Sequence, residues 1–334
     1  MLGFGGAALG NLYRAIPDDK AQATLATAWD GGIRLFDTAP YYGLGLSEQR
    51  LGAFLRGKPR ADYVISTKVG RLLEYDASLE GAAERHGFAD PLPYRVRFDY
   101  SYDGVMRAFE SSLDRLGLER IDILLVHDIG EVTHGNDAAR HFRDLAEGGY
   151  RALAQLREAG VVGAIGLGVN EWDVCLAAMA IGRWDRFLLA GRYTLLEQEA
   201  LHTFLPQCLD HGAKVLLGGV FNSGILASGT RGPGPFYYNY APAPAAVVDR
   251  VARIEAVCEA HGVSLAAAAL AFPQAHPAVA AVLPGLASAA EVHSALALAA
   301  TPIPPALWAD LVAQGLLDPA APVPVAERGQ GALA

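Results

Sequence analysis

Residues Ile33 to Gly43 read IRLFDTAPYYG, and the rest of the chain is best interpreted from this stretch. Its first five residues form a largely apolar run that ends on a carboxylate, Asp37. A Pro/Gly-punctuated turn carrying Tyr41 and Tyr42 follows. The pattern predicts a short buried strand with an acid at its tip, and a buried acid is costly unless something pairs with it. Two later apolar runs supply partners: Tyr63 to Lys68 (YVISTK) ends on a lysine, and Ile121 to His127 (IDILLVH) ends on a histidine. Several strands, each closing on an ionisable group, are how the carboxyl-terminal face of a parallel barrel assembles an active site.

Working outward, the same alternation recurs along the chain. Leu2 to Gly6 reads as a first strand and Pro17 to Asp30 as a helix opened by Pro and two Asp residues. Ser47 to Leu55 is a helix, and Ser101 to Leu116 is another, capped by Ser101 with apolar residues at Val105, Phe109, Leu113 and Leu116. Beyond His127 the order is helix Tyr150 to Ala159, strand Val161 to Gly168, helix Glu171 to Ala180, strand Arg186 to Ala190, helix Leu195 to His211 and strand Lys214 to Gly218. Helices Ala246 to His261 and Leu265 to Phe272, strand Val279 to Leu283 and helix Ala289 to Ala299 complete the series. Eight strands alternating with helices predict an α/β fold, a (β/α)8 TIM barrel, as one domain over residues 1–334. Three stretches without sustained period, Glu74 to Phe98, Asp128 to Asp144 and Phe221 to Ala245, are expected as long loops. All follow strands, so they crowd the carboxyl-terminal rim, where binding loops belong. After an extra helix, Pro305 to Leu316, a Pro/Ala tail is expected to be mobile.

Composition narrows the function classes. The 334 residues are 52% apolar and 19% charged, with a net charge of −9 and no basic stripe, which argues against nucleic acid or anionic membrane surfaces as partners. No run is long enough to span a bilayer, and the N-terminus has no basic segment followed by an apolar one, so the expected location is cytoplasmic. Cys175, Cys208 and Cys258 are widely spaced and odd in number, and read as reduced core thiols; no metal site is expected.

Asp37, Tyr42, Lys68 and His127 make chemical sense together. A phenol titrates near 10, too high for easy proton exchange near neutrality. An adjacent ammonium is expected to lower that value, a carboxylate to hold the ammonium charged, and a neutral histidine to hydrogen-bond a substrate oxygen. Such a set suits a carbonyl/alcohol pair. At this point the chain resembles the aldo-keto reductases over nearly its whole length. GIRLFDTAPYYGLGLSEQRLG (32–52) looks like the family's first signature, with Asp37 and Tyr42 on its catalytic Asp and Tyr; STKVG places Lys68 and LLVHD places His127.

The resemblance implies a nicotinamide cofactor bound across the barrel mouth without a Rossmann fold. Asn170 matches the residue that holds the carboxamide, with Val169 in place of its usual serine neighbour and Ala190 in place of a usual glutamine. Tyr193 lies close by in RYTLL, and Gly218, Phe221, Asn222, Gly224 and Leu226, in and before FNSGILASG, are further cofactor candidates. LPGLASAAEV (283–292), with Gly285, Ser288 and Glu291, resembles the family's adenosine-ribose segment. NADP-specific members place basic residues where this chain has Gly285 and Glu291, so NAD is the expected cofactor, with NADP as a second possibility.

Within the family the stretches FGGAALGNLYR, GVNEW, LLAGRYTLLEQ and FNSGILASG are similar to those of dehydrogenases that oxidise L-fucose and related D-threo-aldoses at carbon 1, and of pyridoxal 4-dehydrogenase. Tyr13, Tyr41, Asp128, His134 and the loop Phe236 to Tyr240 are the substrate-pocket candidates. A general aldehyde reductase and a cofactor-binding regulatory subunit are the alternatives. Relatives usually carry a hairpin before the first strand; this chain starts almost at the strand, so an open barrel bottom or a shortened N-terminus is expected.

Overall fold

In the computed structural model, which describes residues 1–324, eight parallel strands follow one another round a barrel in chain order. They are β1 (Phe4–Gly5), β2 (Leu35–Asp37), β3 (Val64–Val69), β4 (Ile121–His127), β5 (Val162–Val169), β6 (Arg186–Ala190), β7 (Lys214–Gly218) and β8 (Val279–Leu283). The ring closes where the first strand meets the last: Gly3 N donates to Val282 O at 2.9 Å and Val282 N donates to Met1 O at 3.0 Å. Helices α1 (Asp18–Asp30), α2 (Leu46–Leu55), α3 (Tyr102–Leu116), α4 (Tyr150–Glu158), α5 (Asp173–Met179), α6 (Phe204–Asp210), α7 (Ala245–Ala260), α8 (Leu265–Ala271), α9 (Ala289–Ala299) and α10 (Pro305–Ala313) surround it.

Strand parity decides which side chains reach the site. Successive strand residues face opposite sides, so Leu35, Ile123, Leu125, Leu188, Leu216 and Leu283 fill the barrel interior. Phe36, Leu124, Val126, Leu189 and Leu217 join the larger core beneath the helices. Asp37 shares the inward parity of Leu35, and His127 that of Ile123 and Leu125. The apolar interior therefore ends in ionisable groups at one rim.

The expected loops hold more order than their sequences indicate. Residues 71–75 and 94–98 pair as an antiparallel hairpin, Arg71 opposite Phe98 and Tyr75 opposite Tyr94, so Glu74 to Phe98 is not a simple loop. Asp128 to Asp144 contains helical turns at Glu131–His134 and Ala138–Asp144, and Phe221 to Ala245 contains a turn of helix at Ile225–Ser228 and a short ribbon pairing Tyr237–Tyr238 with Ala241–Pro242. In the other direction, the expected helix Leu195 to His211 shrinks to α6. The Thr194 hydroxyl accepts from the backbone N–H groups of Leu196 and Glu197, at 3.2 and 3.0 Å, and so diverts donors that a helix would need. α10 stops at Ala313, and the chain beyond it docks: Leu316, Leu317 and Ala321 are buried and Asp318 N donates to Gln198 Oε1. The remainder of the expected mobile tail lies outside the described residues.

Among the described residues no single helix is long and apolar enough to cross a membrane; α7 and the segment from Leu265 to Ala275 meet that test only together, across a bend of 98°.

Candidate active site

The acid at the tip of β2 is fully engaged. Lys68 Nζ donates to Asp37 Oδ2 at 2.8 Å, to Thr38 O at 2.8 Å and to the Tyr42 hydroxyl at 3.4 Å, while Ser66 Oγ donates to Asp37 Oδ1 at 2.8 Å. All three ammonium protons thus have acceptors. The pair is buried, with the Lys68 and Asp37 side chains 1% and 5% exposed. Such a pair loses solvation on both sides and holds only when further hydrogen bonds satisfy it, as they do here. Two glycines make the geometry sterically possible. A Cβ at Gly168 would stand 3.1 Å from Lys68 Cε, so the lysine stem runs through space that a larger residue would fill. One at Gly10 would lie 2.4 Å from the Tyr42 carbonyl carbon, so the turn carrying Tyr42 rests directly on backbone. The same turn is tied down by Thr38 Oγ1, which donates to Ser47 Oγ, which donates in turn to Gly6 O.

Electrostatics depart from the sequence expectation at Tyr42. Burial pushes the phenol up to about 12, and the Lys68 ammonium offsets this only in part, rather than bringing the phenol below its ordinary value. Burial also works against the Lys68 charge, but Asp37 and Tyr42 outweigh it and hold the ammonium above its usual value. His127 stands edge-on to Tyr42, ring centroids 6.0 Å apart. Burial, reinforced by Arg71 and Lys68, drives its pKa well below the usual imidazole value, which leaves a neutral ring able to donate from one nitrogen.

These groups open into a chamber of about 450 Å³ that is also lined by Tyr13, Tyr41, Asp128 and Asn170. A second chamber of about 470 Å³ shares Tyr42, Leu188 and Ala190 with it and runs past Gly218, Phe221, Asn222 and Gly224 to Gly285 and Glu291. The structure therefore brings most of the sequence-derived candidates onto one continuous groove. Of the loop Phe236 to Tyr240 only Tyr240 lines it, and four single candidates do not reach it. Tyr193 is wholly buried against Phe272 and His276, ring centroids 5.4 and 5.6 Å away, because the turn after β6 folds into the core. Leu226 is a core residue. Ser288 is spent as the N-cap of α9, accepting from Glu291 N at 3.2 Å. His134 turns back to Tyr100, whose hydroxyl is 2.9 Å from its Nε2, and stacks beside His141 behind the chamber wall.

Three lining residues were not singled out individually by the sequence, although Tyr240 belongs to the candidate loop Phe236 to Tyr240. Arg71, two residues beyond β3, stacks over the Tyr41 ring at 4.0 Å and binds Asp128. Tyr240 lines both chambers. Arg14 reaches from the N-terminal loop to Glu291 Oε1 at 2.9 Å. An arginine immediately after a catalytic-looking strand was a hint for Arg71, and Tyr240 fell inside the flagged loop. Nothing near Arg14 in the sequence points to its partner.

The model of the Aldo/keto reductase family matches residues 1–314. The chain belongs to this family. Relatives of this aldo-keto reductase include a pyridoxal 4-dehydrogenase from Microbacterium luteolum, 44% identical over 95% of this chain and 94% of the relative. A D-threo-aldose 1-dehydrogenase from a Pseudomonas species is 42% identical over the same shares of the two chains. Among solved structures, an aldo-keto reductase from Bacillus halodurans in its holo form superposes with a TM-score of 0.71, covering 95% of this chain and 92% of its own at 24% identity, a likeness of fold. This aldo-keto reductase is an NAD(P)-dependent oxidoreductase acting on a small molecule. At Gly224 and Gly285, on the second chamber, the side a Cβ would occupy is open, so a ligand can lie against backbone there.

Proposed function

We propose that the chain, as a single barrel domain in the cytoplasm, oxidises an aldose at carbon 1 to the lactone with NAD as the preferred cofactor and Tyr42 as acid/base. The observation that carries this reading is the buried Asp37–Lys68–Tyr42 hydrogen-bond chain opening, beside neutral His127, into a chamber where Asp128, Arg71 and Asn170 stand among apolar and aromatic walls. Tyr42 takes the proton of the anomeric hydroxyl as hydride leaves carbon 1. Lys68 stabilises the phenolate before it accepts that proton, and Asp37 keeps Lys68 charged and aimed. His127 donates a hydrogen bond to the same oxygen, which shortens toward a carbonyl as the bond order rises. When bound, the nicotinamide supplies the hydride acceptor. Asn170 would hold the carboxamide, the loop Gly218 to Gly224 would lie along the phosphates, and Gly285 with Glu291 would meet the adenosine ribose.

For the cofactor preference, the carboxylate of Glu291 repels a 2′-phosphate and can accept from a free 2′-hydroxyl. The local sequence supplies no cation, and Arg14, which pairs with Glu291 from the N-terminal loop, offsets the carboxylate only in part because both side chains are exposed. NAD is preferred on this reading and NADP is accepted more weakly.

The second reading, oxidation of pyridoxal, is favoured by the name of one relative and by the aromatic walls Tyr41, Phe88 and Tyr240, which suit a planar ring. Initial rates with NAD and NADP against L-fucose, D-arabinose, L-galactose and pyridoxal separate the two. NAD-dependent oxidation of the sugars supports the first reading; a rate confined to pyridoxal overturns it in favour of the second. Equal specificity constants for NAD and NADP overturn the cofactor preference.

A further inference from the structure

Asp128 follows His127 and has a left-handed backbone, φ +44°, a conformation an aspartate tolerates better than most residues but does not seek. Its geometry is over-determined by the fold: Asp128 N donates to Gly168 O at 2.9 Å, and the Tyr100 hydroxyl donates to His127 O at 2.7 Å. Unusual backbone held this firmly commonly marks a functional position. The bend folds the carboxylate back beside the imidazole, with Oδ2 3.2 Å from His127 Nε2. Arg71 Nη2 donates to the same Oδ2 at 2.6 Å. Arg71 takes Oδ2, His127 Nε2 keeps its proton for the reacting oxygen, and Oδ1 is left to the chamber that Asp128 lines.

Arg71 is the second independent sign of a ligand. Its side chain is only 6% exposed, clamped over the Tyr41 ring, yet its Nε is buried with no hydrogen-bond partner among the described residues. A buried guanidinium with an unpaired donor is expensive, and His127 Nδ1 is likewise buried without a partner. The chamber thus presents an open carboxylate acceptor beside a cationic donor group. A hydroxyl can donate to that open carboxylate oxygen, which Arg71 holds in place from the other side. A planar apolar ring cannot.

Position selects the hydroxyl. In the proposed reaction the reacting oxygen bonds both Tyr42 and His127. The Asp128 carboxylate lies 3.2 Å from His127 Nε2, within reach of an oxygen on the carbon next to the reacting one. We propose that Asp128, held by Arg71, is a specificity-determining residue that accepts a hydrogen bond from the hydroxyl on carbon 2 of the aldose. This rests on the reading of the chain as an aldose dehydrogenase, and it makes the enzyme a reader of a vicinal diol at carbons 1 and 2 rather than of a bare hemiacetal.

The test is the ratio of kcat/KM for L-fucose to that for 2-deoxy-L-fucose, with NAD, in the parent and in Asp128→Ala and Asp128→Asn. The parent is expected to prefer the full sugar by roughly tenfold or more, the scale of one hydrogen bond to a charged group. The ratio is expected to collapse toward one in Asp128→Ala and to fall part of the way in Asp128→Asn, whatever happens to the absolute rates. A merely structural role slows both sugars alike and leaves the ratio where it was. Because Asp128→Ala strands a buried arginine, the parent alone gives a second measurement. 1,5-Anhydro-L-fucitol, which lacks the oxidisable hydroxyl, is expected to inhibit competitively, and its 2-deoxy counterpart roughly tenfold more weakly. An unchanged ratio in folded variants, or equal inhibition by the two anhydro compounds, overturns the role of Asp128 and leaves aldose oxidation standing. Failure of the parent to oxidise either sugar overturns both.

Discussion

At Tyr42 two opposing effects meet in one phenol: burial raises its pKa to about 12 and Lys68, 3.4 Å away, pulls it back only in part. Oxidation needs the phenolate, which is scarce at neutrality, so kcat/KM for oxidation is expected to climb as pH rises toward about 12, whereas the reverse reaction, which uses the protonated phenol, stays flat near neutrality. Rate profiles in both directions check this. Tyr42→Phe removes the proton carrier without emptying the groove; turnover is expected to fall by about 10²- to 10⁴-fold, with NAD still bound in a fluorescence titration. His134 gives a stability prediction of definite sign. Burial, then the neighbouring His141 and Arg71, lowers it from 6.5 to about 4. Between those values the unfolded chain holds a proton that the folded chain does not, so stability is intact above 6.5 and is lost as pH falls toward about 4. A thermal midpoint followed through that window should decline in the parent and decline less in His134→Gln.

Among elements, the α2–α3 contact shows how the catalytic rim is braced from behind. Glu48 on α2 is wholly buried and accepts from Thr67 of β3 at 2.7 Å and from Arg115 of α3 at 2.5 Å. That triangle holds because Gly52 lets the helices touch: a Cβ there would fall 2.1 Å from the Leu116 carbonyl oxygen. Gly52→Ala should gain helix propensity and still destabilise by about 1–3 kcal/mol, since backbone has to move to admit one methyl; a shifted urea midpoint with unchanged slope would report it. Element boundaries were largely legible. Ser101 caps α3 as its sequence predicts, and β4, β6, β7 and β8 run as read. The misreadings were at places where a side chain or a distant strand overrides local pattern, as Thr194 does for the segment after β6 and as Tyr94 to Phe98 does by pairing with Arg71 to Tyr75.

For the whole molecule, closure of the barrel rests on a two-residue first strand bonded to the last. Proline at Gly3 deletes the bond from Gly3 N to Val282 O, and the site is already so close that a Cβ there would be 2.5 Å from Leu283 Cδ2. Gly3→Pro is therefore expected to lower the thermal midpoint of the entire barrel by several degrees, in a single transition followed by near-UV circular dichroism, rather than to fray one end. The site draws on that closure, because Gly5 and Gly285 face each other across it at the floor of the second chamber.

By itself the sequence determined the alternation of strands and helices, the rim on which Asp37, Lys68 and His127 end, and the family. These are local properties: strand parity, helix period, caps and contiguous motifs are written within a few residues of one another. Only the tertiary structure decided that Arg71 lies on Asp128, 57 residues away, that Arg14 pairs with Glu291, 277 residues away, and that Tyr193 and His134 turn from the groove. It also decided the ionisation of Tyr42, because burial and charge sum over every neighbour in space, and spatial neighbours of that kind leave no mark in the order of the chain.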